Sequence, residues 1–216
     1  MSRAYRHLTP RYVLNKLRYL ADQRRYPDAP WLTRQANELL ASLILPTDAG
    51  LEFGSGRSTL WLARRARRLT SVEHDKTWHA AVSRQLAEND IANVEYLFRA
   101  QDADEASAER SAYVRVAETL PHESIDFVLV DGIYRVDCAN AVLDRLAPGG
   151  LLILDDAQRY LPSKSVSPQA RRHDDGPASH KWSAFLEGVQ GWRTIWTSSG
   201  VSDTAIWFKP GGAPRR

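Results

Sequence analysis

Leu51-Glu52-Phe53-Gly54-Ser55-Gly56-Arg57-Ser58-Thr59 is the stretch from which the architecture can be worked out. Apolar residues over 50–53 run into two glycines and then into helical spacing, which predicts a strand, a tight turn and the first turn of a helix. Glycine lets backbone approach a ligand closely, and a helix start offers free N–H groups, so the turn suits a nucleotide-like ligand. A Gly-x-Gly is equally at home in a plain strand-to-helix connection, and the neighbours have to separate the two readings.

Working outward, β-rich runs recur at 69–73, 94–98, 125–131 and 151–155. Helical patterns fill the gaps at 58–66, 77–88, 104–118 and 136–146, with Pro148-Gly149-Gly150 closing the last of them. Strands alternating with helices in this way predict an α/β, Rossmann-like doubly wound sheet, mostly parallel, with helices on both faces. Beyond 156 the rhythm changes. Residues 159–181 are rich in Pro, Ser, Arg and His and read as a long lid-like loop, followed by a helix at 182–189 and two strands at 192–197 and 204–208. A helix leads up to Pro46, and Val13, Leu17 and Leu20 share one face of an N-terminal helix. The domain reading is a docking helix and linker over 1–31, a ligand-binding domain over 32–210 and a flexible tail over 211–216.

The 216 residues fit one domain, and 43% hydrophobic with 25% charged residues excludes disordered and fibrous classes. The longest apolar runs fall far short of the ~20 residues of a membrane span, and no secretory signal is evident. Cys138 is the single cysteine, so neither an internal disulfide nor a cysteine-based zinc site can form, and the expected compartment is the cytoplasm. The net charge of +3 is unevenly spread: residues 1–36 hold eight Lys/Arg against two Asp, residues 37–158 twelve against twenty, and residues 159–216 nine against four. Basic ends folded over one mouth would draw an anionic substrate; solvated basic faces are the plainer account.

Two sets of residues carry chemistry. In the first, Glu73 follows Gly56 by 17 residues and leads Val72-Glu73-His74-Asp75, placing a carboxylate beside the glycine turn where ribose hydroxyls bind in dinucleotide folds. Gln101-Asp102 ends the third strand, with Asp102 either a further polar contact or a helix cap. The third glycine of a nicotinamide fingerprint would fall at Thr59. In the second set, Asp131 ends the fourth strand and Asp155 and Asp156 end the fifth. Three carboxylates converging at strand ends suit Mg²⁺ or a similar ion, or else Asp155 and Asp156 cap the following turn.

Together, the 51–56 turn, Glu73, Asp102, Asp131 and the terminal strand hairpin resemble the class I S-adenosylmethionine-dependent methyltransferases over about residues 32–208. That resemblance implies a seven-stranded sheet whose antiparallel last strand lies between the fifth and sixth. It implies that Glu52 with Gly54, Ser55 and Gly56 holds the methionine end of the cofactor, assisted by Ser58, while Glu73 with His74 takes the ribose and Asp102 the adenine region. The aspartate spacing is similar to that of metal-dependent O-methyltransferases, with Asp156 replacing an Asn and Tyr134-Arg135 standing where a basic residue assists deprotonation.

The expected reaction is methyl transfer to an oxygen of a small or medium acceptor, with Asp131 catalytic and Asp131, Asp155 and Asp156 as metal ligands. His173 and His180 are alternative bases in the loop. Of the seven tryptophans, most are expected in the core, with Trp31 and Trp182 at the mouth. A metal-independent enzyme acting on another acceptor including RNA, a nicotinamide oxidoreductase and a nucleic-acid-binding module are the competing readings.

Overall fold

The computed structural model describes residues 9–211. Most of the tail expected at 211–216, like the first eight residues, lies outside them. Helices α1 (Pro10–Arg25) and α2 (Arg34–Leu43) precede β1 (Ala49–Phe53), α3 (Arg57–Ala63), β2 (Arg68–Glu73), α4 (Lys76–Glu88) and β3 (Val94–Phe98). Then come β4 (Ile125–Val130), α5 (Arg135–Ala141), β5 (Leu146–Asp155), α6 (His180–Gly188), β6 (Arg193–Ser198) and β7 (Asp203–Phe208). The strands form a seven-stranded sheet in the order β3-β2-β1-β4-β5-β7-β6. β1 to β5 pair in parallel, and β7 runs antiparallel to both β5 and β6.

Successive side chains of a strand point to opposite faces, and the central strands bury both. Leu51, Phe53, Val128, Val130, Leu152 and Leu154 meet α5 and α6 on one side. Phe127, Leu129, Leu151 and Ile153 meet α2 and α3 on the other. Order therefore reverses between β1 and β4, where the carboxyl ends of adjacent strands diverge and open α/β sheets bind ligands. Among the described residues no helix is long and apolar enough to cross a membrane.

Two expectations are corrected. Residues 104–118 form no α-helix but two 3₁₀ turns, Ala108–Arg110 and Val114–Thr119. Asp104 takes hydrogen bonds from the Ser107 backbone and hydroxyl, and Asp102 takes them from Ser111 and the Ala112 N–H, so side chains satisfy the backbone in place of a helical ladder. The 159–181 segment, expected as a long loop, runs irregularly up to α6 and is tied down: Arg171 donates to the carbonyls of Asp175, Gly176 and Pro177, and Ser167 donates to Asp203. Helix α1 docks by the face opposite to the one its pattern suggested. Val13, Leu17 and Leu20 stay exposed, while Asn15 packs on Gly200 in the β6–β7 turn and Tyr19 is half-buried.

Candidate active site

The glycine turn is held by the turn after β4. Gly54 has φ +92°, and a Cβ there would lie 2.5 Å from the Gly132 nitrogen; a Cβ on Gly132 would meet the Tyr113 hydroxyl and the Gly54 backbone. The two turns thus pack backbone to backbone, a contact only glycine permits. Gly56 is different: a Cβ there would have only the Trp78 ring near it, at 3.7 Å. This glycine is not needed for packing and leaves open space at the helix start.

Trp78 was expected in the core. Instead it is half-exposed and roofs the turn, its indole N–H donating to the Ser55 carbonyl at 2.7 Å. Beneath it lies a 230 Å3 cavity whose walls include Trp31, Ser55, Gly56, Ser58, Trp78 and Asp131. Trp31 is exposed at its edge under the Arg57 guanidinium, 5.3 Å away, whereas Trp182 is buried and stacked on Tyr160.

Two carboxylates border the turn. Glu73 is buried, and the chain fills its acceptor positions: one oxygen takes the Ser55 N–H and hydroxyl at 3.0 and 2.8 Å, the other the N–H groups of His74 and Asp75, each at 2.8 Å. Glu52 is fully buried, and its Oε2 accepts from Thr59 at 2.6 Å and Ser71 at 2.5 Å. Its Oε1 is buried without a hydrogen-bond partner among the described residues. Burial raises its pKa to about 7, against the opposing pull of the neighbouring hydroxyls.

That shift has a measurable consequence. The unfolded chain loses the Glu52 proton near 4.5 and the folded chain near 7, so stability falls as pH rises through that window. The loss is on the order of 3 kcal/mol and is complete above the folded value. Glu52→Gln removes this titration. Thermal melts from pH 4.5 to 8 are expected to show the variant gaining on the wild type as pH rises, and a constant difference would refute the burial account.

At the next strand ends Asp131, Asp155 and Asp156 come together as expected, but not as a metal-binding group. Among the described residues no set of three His, Cys, Asp or Glu side chains is arranged to hold a metal ion. The cation in their midst is Arg135, which donates to Asp131 Oδ1 at 2.9 Å and the Asp155 carbonyl at 2.6 Å, and lies 3.9 Å from Asp156. Arg159 adds a second contact to Asp156 at 3.3 Å. Asp155 is buried and turned into the sheet, accepting from Thr204 at 2.9 Å, and its carboxyl lies well above the usual range because of burial and then Asp131. Asp156 sits at φ 54° and accepts from Ser202 at 3.0 Å. These residues do not fit a divalent ion, because a guanidinium already supplies the charge that it would bring.

Asp131 is the member that reaches the cavity. Burial raises its carboxyl to about 6; Arg135 pulls it down and Asp156 pushes it up. It can hold a proton or release one near neutrality, as a general base must. His173 and His180 are exposed. Asp102 is exposed and tied to its own loop.

Sequence reasoning missed Tyr19. It comes from α1, 112 residues before Asp131, and its phenol pKa is raised by burial and then by Asp155, Asp156 and Asp131. Only the half-polar face of α1, with Asn15, Tyr19, Asp22 and Gln23 at helical spacing, could have signalled it.

Residues 51–157, which span the turn, Glu52 and Glu73, the three aspartates and β5, match the family model for a methyltransferase domain. The chain carries a methyltransferase domain. This methyltransferase shares its fold with a methyltransferase-like protein from Silicibacter pomeroyi, at 23% identity and a TM-score of 0.55 over 85% of this chain and 89% of that one. A candidate methyltransferase from Streptococcus mutans in complex with S-adenosylhomocysteine gives 10% identity and a TM-score of 0.56 over 81% and 96%. An rRNA methylase from Streptococcus thermophilus gives 14% and 0.55 over 82% and 95%. None of the curated proteins matches the methyltransferase in sequence. The domain match displaces the nicotinamide reading, in keeping with Thr59 at the fingerprint's third glycine.

Proposed function

We propose that this enzyme methylates an oxygen of a small or medium acceptor and that Asp131 takes the acceptor's proton. The observation that carries the reading is Asp131 itself: a partly buried carboxylate raised to about 6, at the strand end beside the glycine turn. S-adenosylmethionine supplies the electrophilic methyl group when bound. Residues 32–210 make up the transferring unit, with α1 laid over it.

Two features of the chain support a cofactor seat at the glycine turn. Glu52 Oε1, buried without a partner, suits an α-ammonium group, and the open position at Gly56 leaves room for a ligand beside Ser55 and Ser58. The acceptor positions of Glu73 are all in use, so a ribose diol has to displace the Ser55 hydroxyl, which keeps the Tyr96 hydroxyl at 2.6 Å as a second partner. His74 contributes its backbone N–H to Glu73. Asp102 shapes the loop on the adenine side. Arg135 holds Asp131 in place, limits its pKa and stabilises the carboxylate form that accepts a proton.

Calorimetric titration of S-adenosylmethionine, run in two buffers of different ionisation enthalpy, tests this seat. An ammonium placed against Glu52 favours its charged form, so binding at pH 6, where the ligand's amino group is already protonated, is expected to release protons, approaching one per site. Saturable binding without proton release removes Glu52 from the seat. Repeating the titration with Mg²⁺ and with EDTA is expected to give the same affinity.

A further inference from the structure

A second, larger cavity of 570 Å3 lies between α1, α2 and the β6–β7 turn, separated from the first by the segment Pro30-Trp31-Leu32. Pro30 and Leu32 line the large cavity, and Trp31 lines the small one. Two of its wall residues connect the large cavity to the aspartates. Tyr19 on its wall is near enough to Asp131, Asp155 and Asp156 to feel their charge. Ser199, also on its wall, bonds the Ser202 carbonyl, and the Ser202 hydroxyl in turn bonds Asp156. Its size falls within the range of small-molecule sites, ~300–1,000 Å3.

The lining has a definite chemistry. Tyr19, Tyr26 and Trp61 supply aromatic surface. Of its three arginines, Arg34 is neutralised by Glu38 at 2.8 Å and Asp22 at 3.7 Å. Arg65 lies over the Trp61 ring at 3.7 Å and donates to the Trp61 carbonyl, but among the described residues no carboxylate pairs with it. Arg18, exposed at the rim, has no acidic partner among the described residues either. Two guanidiniums without counter-ions beside aromatic walls suit a planar ring bearing an anionic group, since arginine both forks onto oxyanions and stacks on rings. The Asn37 amide oxygen, buried and unpartnered, adds an acceptor for a hydroxyl donor.

We infer that this cavity is the acceptor subsite, and that it takes a planar hydroxylated aromatic acid whose carboxylate is bound by Arg18 and Arg65. The inference rests on the reading of Asp131 as the proton acceptor, and its test is separable from that reading. The full chain, saturated with S-adenosylhomocysteine, is titrated with a panel of mono- and dihydroxybenzoates and with the methyl ester of each. At least one acid is expected to bind more than about tenfold tighter than its ester, and Arg18→Gln and Arg65→Gln are each expected to cost about tenfold for the acid. Neither substitution is expected to change the ester's affinity or that of S-adenosylhomocysteine.

Acids that bind no tighter than their esters, or whose binding ignores both substitutions, overturn the inference. So does a panel that fails entirely while a short single-stranded RNA binds with steep salt dependence, which would make the basic rim a nucleic-acid surface. Failure of S-adenosylhomocysteine itself to bind would strike the cofactor seat instead.

Discussion

Replacing Asp131 with Asn is expected to reduce methyl transfer by about 10²–10⁴-fold while leaving S-adenosylmethionine affinity within a few-fold of wild type. Asparagine keeps the shape and can still meet Arg135, so the loss reports the missing proton acceptor and not a collapsed site. The pH profile supplies the independent check. Asp131 must be unprotonated to act and titrates at about 6, so the wild-type rate should fall roughly tenfold per unit below that value and level off above it. The residual activity of the variant should lack this limb. Release of S-adenosylhomocysteine on the enzyme's acceptor measures both, and a variant with wild-type turnover would remove Asp131 from the chemistry.

The second large effect separates the two glycines of the turn. Gly54→Ala forces a Cβ to within 2.5 Å of the Gly132 backbone at φ +92°, where neither partner is a flexible side chain. A clash added to left-handed strain is expected to cost at least about 3 kcal/mol, lowering the melting temperature by roughly 10 °C for a chain of this size. Gly56→Ala meets only the Trp78 ring at 3.7 Å, and its φ of 164° is extended backbone. Its stability should change by about 1 kcal/mol or less. Its S-adenosylmethionine affinity should nevertheless fall at least about tenfold, because the methyl group enters the space left for the ligand. Melting curves paired with titrations separate a glycine required by the fold from one required by the ligand. Equal destabilisation by the two substitutions would contradict the distinction.

The parts of this protein that were legible in its sequence are those where local pattern and final environment coincide. The strands at 50–53, 69–73, 94–98 and 125–131 lie within one residue of the observed β1 to β4, because short β-rich runs bounded by turn residues are strands both in the buried centre of the sheet, as β1 and β4 are, and at its partly exposed edge, as β3 is. The strand expected at 151–155 gave only the second half of β5, which begins at Leu146 and runs through Pro148-Gly149-Gly150 past an irregular pairing with β4. The motif at 51–59 and the carboxylates at 73, 131, 155 and 156 stand at strand ends, and strand order alone brought them to one edge.

Tertiary structure alone decided the rest. That Arg135, not a metal ion, sits among the aspartates depends on the left-handed Tyr134 starting α5 so that the guanidinium folds back over the end of β4. The polar docking of α1 is likewise a tertiary matter: Asn15 packs on Gly200 in the β6–β7 turn and Tyr19 lies near the aspartate cluster, while the apolar stripe stays outside. The division of labour between Gly54 and Gly56 follows from a turn 78 residues away from the first of them. Periodicity and composition report what each segment prefers next to its chain neighbours, and so fixed the sheet and the residues at its edge. Which of those residues pair, which stay unpartnered and which cavity they face is set by contacts between segments far apart in the chain, which only the folded sheet brings within reach.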